Sequence, residues 1–100
     1  MSAPAFRMAF REWFGLSPRA AEVLTELFIA QGQSRTSDQL AHAAGVATAA
    51  LRYHMTLIRA VLDCEGLDHA PGEGYRLTDI GLDECRAALR TVAEELKAAG

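Results

Sequence analysis

Lysine is nearly missing from this chain of 100 residues: arginine supplies nine of its ten basic side chains. Positive charge as a whole is also short. Ten basic against thirteen acidic residues leave a net charge of −3, which argues against the broad basic surface usual in nucleic-acid-binding domains and leaves room for a local one. No apolar run reaches the roughly eighteen residues of a membrane-spanning helix. The two cysteines, Cys64 and Cys85, are too few for a secreted disulfide framework and are expected to be free thiols of a reducing cell. Neither belongs to a C-x-x-C pair, so Cys64, His69 and Cys85 predict no metal site. Met1 to Gly15 carries Arg7 and Arg11 within its apolar stretch and lacks a cleavable signal pattern. A mature cytoplasmic protein without membrane contact is expected.

What is present is one domain's worth of chain with 50% apolar residues. That suffices for a single modest core, not for a core plus a deep substrate cavity. Charge is unevenly spread. Residues 1–63 hold six arginines against five acids, a balance of +1, and residues 64–100 hold four basic residues against eight acids, a balance of −4. The acid is concentrated in the last third, and a basic face earlier in the chain remains available. The arginine and alanine bias fits GC-rich coding, as in bacteria or phage.

Apolar spacing divides the chain into helices and one hairpin. Phe6, Phe10 and Trp13, with Phe14 beside them, form one stripe of a first helix from about Pro4 to Phe14, ended by Gly15. Ser17-Pro18 opens a second helix with an N-cap serine and a first-turn proline. Its core face is Val23, Leu24, Leu27 and Phe28, and Gln31-Gly32-Gln33 stops it. A third helix starts at Thr36 or Ser37, carries Leu40, Ala41 and Ala44, and breaks at Gly45. Thr48 is expected to cap a fourth, with Leu51, Met55, Ile58 and Leu62 as its buried stripe. Leu67 and His69, then Tyr75 and Leu77, alternate around Pro71-Gly72-Glu73-Gly74, the pattern of a β-hairpin whose turn needs Gly72 and Gly74. A last helix starts near Thr78 or Asp79 and runs to about Ala98. The predicted class is mainly α with a small β-hairpin wing, a winged helix–turn–helix. It comprises an N-terminal aromatic helix (1–15), a winged core (17–78) and a C-terminal helix (79–99).

Ser37 to Arg59 carries the strongest signal. Two short helices crossing steeply around a tight turn need a small residue in the first, here Ala41, and a positive-φ residue in the turn, here Gly45. Leu40, Val46 and Leu51 lock the pair. The stretch His54-Met55-Thr56-Leu57-Ile58-Arg59-Ala60-Val61-Leu62, followed by Gly72-Glu73-Gly74-Tyr75-Arg76-Leu77, resembles the recognition helix and wing of OmpR-type response-regulator DNA-binding domains. Those carry a His-apolar-Ser-x-Leu-Arg-x-x-Leu helix and a Gly-x-Gly-Tyr-x-apolar wing. Tyr75-Arg76-Leu77-Thr78-x-x-Gly81 is similar to the wing exit of MarR- and PadR-type repressors. The resemblance covers roughly residues 17–81. It departs from the response-regulator pattern in having no receiver domain in these residues, an aromatic helix where that family has an N-terminal sheet, and a tight turn at Gly45 in place of a long loop. It implies the winged architecture and a DNA-reading surface, not phosphorelay signalling.

With the core stripe of the fourth helix at the back, Ala49, Tyr53, Thr56 and Ala60 fall at the front, with Arg52 and Arg59 on the edges. In related architectures the front half of this helix enters the major groove. Arg52 and Tyr53 are then placed for base edges, Ala49 for a thymine methyl, and Thr48 with the first backbone N–H groups for a phosphate. Arg59, Arg35, and His69 and Arg76 on the wing are phosphate candidates. His54, on the flank of the stripe, is expected to be a partly buried structural histidine.

Leu82, Cys85, Leu89, Val92, Leu96 and Ala99 recur at three and four, a coiled-coil-like seam. With the aromatic first helix it predicts a homodimer through the terminal helices. Gly72-x-Gly74 lacks the third glycine and the strand-to-helix setting of a phosphate loop, and no nucleophile signal accompanies Asp83-Glu84 or Glu94-Glu95. Neither an enzyme nor a cofactor is expected. The expected function is sequence-specific binding of double-stranded DNA by a bacterial or phage transcriptional regulator. The alternatives are a phage packaging or replication accessory protein, and a winged-helix interaction module whose partner is a protein of the transcription or phage machinery.

Overall fold

Local sequence rules set most element ends in the computed structural model, which describes residues 2–100. Helix α1 (Ala3–Phe14) ends at Gly15, whose φ of 68° few other residues adopt. Helix α2 (Pro18–Ile29) opens with Pro18 in its first turn while the Ser17 hydroxyl accepts the Ala20 N–H at 3.3 Å. Helix α3 (Ser37–Ala44) starts with a reciprocal box. The Gln39 N–H donates to Thr36 Oγ1 at 3.1 Å, and the Thr36 N–H donates to Gln39 Oε1 at 2.9 Å. Gly45 ends it at φ 69°, and a short turn leads into α4 (Thr48–Val61). Here the structure corrects one expectation. Ala47, still extended at ψ 138°, is the N-cap; Thr48 is already helical, and among the described residues no side chain caps α4.

Strands β1 (Leu67–Ala70) and β2 (Gly74–Leu77) pair antiparallel, with Asp68 opposite Arg76 and His69 opposite Tyr75. Ala70 C=O accepts the Glu73 N–H at 3.0 Å across Pro71 and Gly72. Proline followed by a positive-φ glycine, here at 82°, is the order a type II turn requires. Arg35 adds a rung that its sequence context does not announce: it exchanges both backbone hydrogen bonds with Tyr75, each 2.8 Å. Gly74 permits this approach, because a Cβ there would lie 2.0 Å from Arg35 C=O. At the other end, a Cβ on Gly81 would lie 2.1 Å from Gly66 C=O. Thr78 caps α5 (Asp79–Ala99) through its hydroxyl, which accepts the Gly81 N–H. The architecture is thus mainly α with a small β-hairpin wing, as the spacing predicts.

The core joins all these elements through Phe10, Leu24, Leu27, Leu40, Leu51, Met55, Ile58, Leu67, Leu77 and Cys85, all buried. Phe28 stands edge-on to Phe6 and Phe10, at centroid distances of 5.2 and 5.7 Å, fastening α1 to α2. The Arg7–Glu22 ion pair joins the same two helices. Trp13, expected on the α1 stripe, is 47% exposed, and Phe14 packs against the core instead. The stripe follows the four-residue spacing Phe6–Phe10–Phe14, which leaves Trp13 on its margin.

The seam expected to join two chains is largely covered within one. Leu82, Cys85 and Val92 are buried and Leu89 packs on the core, chiefly because α5 lies against α1. Leu96 is 61% exposed, and every residue from Glu94 onward is exposed. Among the described residues no helix is long and apolar enough to cross a membrane.

Candidate functional site

Helix α4 buries Leu51, His54, Met55 and Ile58, with Leu62 buried just past its end, and turns Ala49, Tyr53, Thr56 and Ala60 to solvent, with Arg52 and Arg59 exposed beside them. Between α4, the start of α3 and the hairpin runs an open groove of about 580 Å³. Ser37, Thr48, Arg52, Thr56, Arg59 and His69 line it, over Leu51, Met55 and Tyr75. Seven residues separate the two arginines, about 10 Å along the helix. Among the described residues neither is ion-paired. Thr48 stands at the uncapped start of α4, where backbone N–H groups are free to meet an anion. Thr56 is partly committed, because its hydroxyl donates to Arg52 C=O at 3.0 Å.

The hairpin's two faces differ. On one, His69 stacks flat on Tyr75, with ring centroids 4.2 Å apart and planes 10° apart, and both rings line the groove. On the other, Arg76 Nη2 meets Asp68 Oδ2 at 2.6 Å. Alternate residues of a strand face opposite ways, so Arg76 is held off the groove that His69 lines.

Of the residues singled out from sequence, the fold therefore brings Thr48, Arg52, Thr56, Arg59 and His69 together. Ala49 and Tyr53 lie outside the groove on the exposed face of α4, Tyr53 being 64% exposed. Arg35 is half-buried and borders a separate hollow with Glu26 and Gln39. Burial raises the Glu26 carboxyl above its ordinary range, Glu22 adds to this, and Arg35 opposes it. Gly72 and Gly74 border a third hollow with Thr36, Ser37, Asp38 and His69. Ser37, Asp38 and Tyr75 are groove or rim residues that sequence reasoning did not single out. For Tyr75 a signal existed, since it shares the alternation of His69 across the turn. For Ser37 and Asp38 there was none beyond their place at a helix start.

His54 is 7% exposed, and its Nδ1 has no hydrogen-bond partner among the described residues. Tyr53 meets its ring edge-on at 5.7 Å. Cys64 is exposed and Cys85 buried, both free. Burial pushes the Cys85 thiol up to about 12, with Glu84 adding and Arg86 opposing. Among the described residues, no group of three His, Cys, Asp or Glu side chains is placed to hold a metal ion.

What the groove offers chemically is an open surface lined by two arginines, His69 and the hydroxyls of Ser37, Thr48 and Thr56. That suits an extended anionic ligand lying across α4. Compared with protein-family models, curated proteins and solved structures, the chain matches none.

Proposed function

We propose that this chain is a winged helix–turn–helix domain that binds double-stranded DNA sequence-specifically, as a cytoplasmic transcriptional regulator of bacterial or phage type. The observation that carries the reading is the pair Arg52 and Arg59, unpaired and exposed on the outward edge of α4 beside the hairpin groove. In this reading α4 is the recognition helix. Arg52, in its first half, reaches a guanine edge, Tyr53 and Ala49 approach neighbouring bases, and Thr48 with the free N-terminal amides holds a phosphate. Arg59 and His69 follow the backbone. The overall acidity is compatible with this, because five of the thirteen acids, Asp79, Asp83, Glu84, Glu94 and Glu95, lie on α5, and screening limits their reach to roughly 8–10 Å at physiological salt.

Titration of a mixed-sequence duplex at low ionic strength tests the reading first. Micromolar binding that weakens steeply with salt supports it, and no binding overturns it. Selection from a random duplex library then yields the preferred site.

Two apolar side chains favour a partner as well. Leu96 continues the α5 seam past the point where the chain's own elements cover it, and Trp13 stands exposed on α1. We read these as the contact of a homodimer through the terminal helices, which light scattering at high micromolar concentration tests against a monomer. A dimer on DNA also requires two half-sites separated by whole helical turns. Exposed Tyr53, at the centre of the α4 face, supports the second reading, an interaction module that uses this helix to anchor a protein partner. That reading gives no duplex affinity at low salt.

A further inference from the structure

His69 occupies an unusual position on the hairpin. It borders the α4 groove with Arg52 and Arg59, the hollow at the start of α3 with Asp38, and the hollow on the far side of the hairpin with Asp68, Glu73 and Arg76. Its ring lies flat on Tyr75. Stacking covers one face of the imidazole and leaves uncovered the ring edge, which carries both nitrogens. The side chain is exposed, and among the described residues it has no hydrogen-bond partner.

The charges around it are nearly balanced. Arg52 and Arg59 face it from α4, Asp38 from α3 and Glu73 from the hairpin turn, while Asp68 and Arg76, on the opposite face of the hairpin, pair with each other. Two cations therefore oppose two carboxylates around the imidazole. A phosphodiester strand in the groove upsets this balance. It neutralises the arginines and adds its own negative charge, while the carboxylates stay. Imidazole is the side chain that changes charge between pH 5 and 8, and nearby anions favour its protonated form. As imidazolium it gains a second N–H donor for phosphate oxygen.

We propose that His69 is a proton-linked phosphate contact, so that duplex DNA entering the α4 groove takes up a proton at this imidazole. The proposal rests on the DNA reading of the groove and deepens it. The direction follows from linkage: if the complex holds more protons than the free species, affinity rises as pH falls. The effect is confined to the range in which imidazole titrates.

The test is fluorescence anisotropy on a mixed-sequence duplex from pH 8 to pH 6 at constant low ionic strength, with wild type, His69→Gln and His42→Gln. Calorimetry near pH 7 in two buffers of different ionisation enthalpy reads the proton uptake directly. Wild type should bind more tightly at pH 6 than at pH 8, by up to roughly tenfold for one linked proton. It should take up a measurable fraction of a proton per bound chain. His69→Gln should flatten the pH dependence and abolish the uptake, and His42→Gln should retain both. Binding that is independent of pH in wild type overturns the inference and leaves the DNA reading standing. A pH dependence that survives in His69→Gln does the same. Absence of duplex binding at both pH values overturns the inference and the DNA reading together.

Discussion

Asp68 and Arg76 lie directly opposite each other across the hairpin and pair at 2.6 Å, on the face that His69 and Tyr75 do not occupy. Both side chains are roughly half exposed, 54% and 44%, so the pair is worth at most about 1 kcal/mol. Its consequence is positional, because it holds a cation that a phosphate would otherwise attract. In a salt titration Arg76→Ala should therefore alter the slope of log K against log salt less than Arg59→Ala does. Asp68→Asn should release Arg76, tighten duplex binding and steepen the slope by roughly one unit. Arg76→Ala added to Asp68→Asn should remove that gain. An unchanged slope in Asp68→Asn would show that Arg76 does not reach phosphate even when released.

Arg52 and Arg59 share the groove, and the DNA reading gives them different roles. Arg52→Ala should weaken the selected site more than random duplex, a loss of discrimination of about 1–3 kcal/mol for one bidentate guanine contact. Arg59→Ala should weaken all sequences alike and lower the salt slope by about one unit. Parallel titrations of both variants on the selected site and on a scrambled one separate these outcomes. Equal losses on both duplexes for Arg52→Ala would remove it from the base-reading set.

Gly72 and Gly74 both have positive φ, yet their substitutions should differ sharply. At Gly72 an added Cβ meets nothing within 4 Å, so Gly72→Ala should cost only the left-handed backbone penalty, about 1–2 kcal/mol. At Gly74 the new Cβ would lie 2.0 Å from Arg35 C=O and 2.7 Å from Thr36 Cα. Gly74→Ala must break the Arg35–Tyr75 rung and should cost at least roughly 3 kcal/mol. Urea denaturation of the two variants compares them. Similar midpoints would mean that the hairpin moves off Arg35 easily.

The thiols give a check on packing. Exposed Cys64 should react with an aromatic disulfide reagent at pH 8 in the native protein, and Cys85 only after unfolding. The sign of the pH effect follows from the raised Cys85 value. The folded state keeps this thiol protonated up to about 12, whereas an unfolded thiol ionises near 9.0. The stability it contributes is complete below pH 9 and is lost as pH rises from there toward 12. Cys85→Ala should flatten that part of the alkaline stability profile, as read by thermal melts between pH 8 and 11.

The helices were legible in the sequence because their ends are set by neighbours in the chain. Ser17 and Thr36 accept amides three residues away, and Gly15 and Gly45 supply the left-handed residue that ends a helix. The hairpin was legible from its alternation and its Pro71-Gly72 turn. What escaped notice depends on contacts between distant segments. Period alone assigned Trp13 to the α1 stripe, but it is Phe14 that the core receives. The three-four spacing of α5 reads equally as a seam between chains or a face for α1, and only the placement of α1 decides. The rung at Arg35 has no local pattern, since Ser34-Arg35-Thr36 neither alternates nor turns. Within the groove, Arg52, Thr56 and Arg59 followed from helical phase. That His69 faces them while Arg76 pairs with Asp68 follows from strand register, which the sequence left open.

The hairpin is held at both ends, by Gly74 against Arg35 and by Gly66 against Gly81. These contacts set the distance from α4 to the His69–Tyr75 stack. On the DNA reading, the groove works as a calliper. A duplex must match its span or deform to do so, and the cost of deforming depends on base steps that no side chain touches. Selected sites should then show sequence preference at uncontacted positions beside the hairpin, set by the stiffness of the DNA.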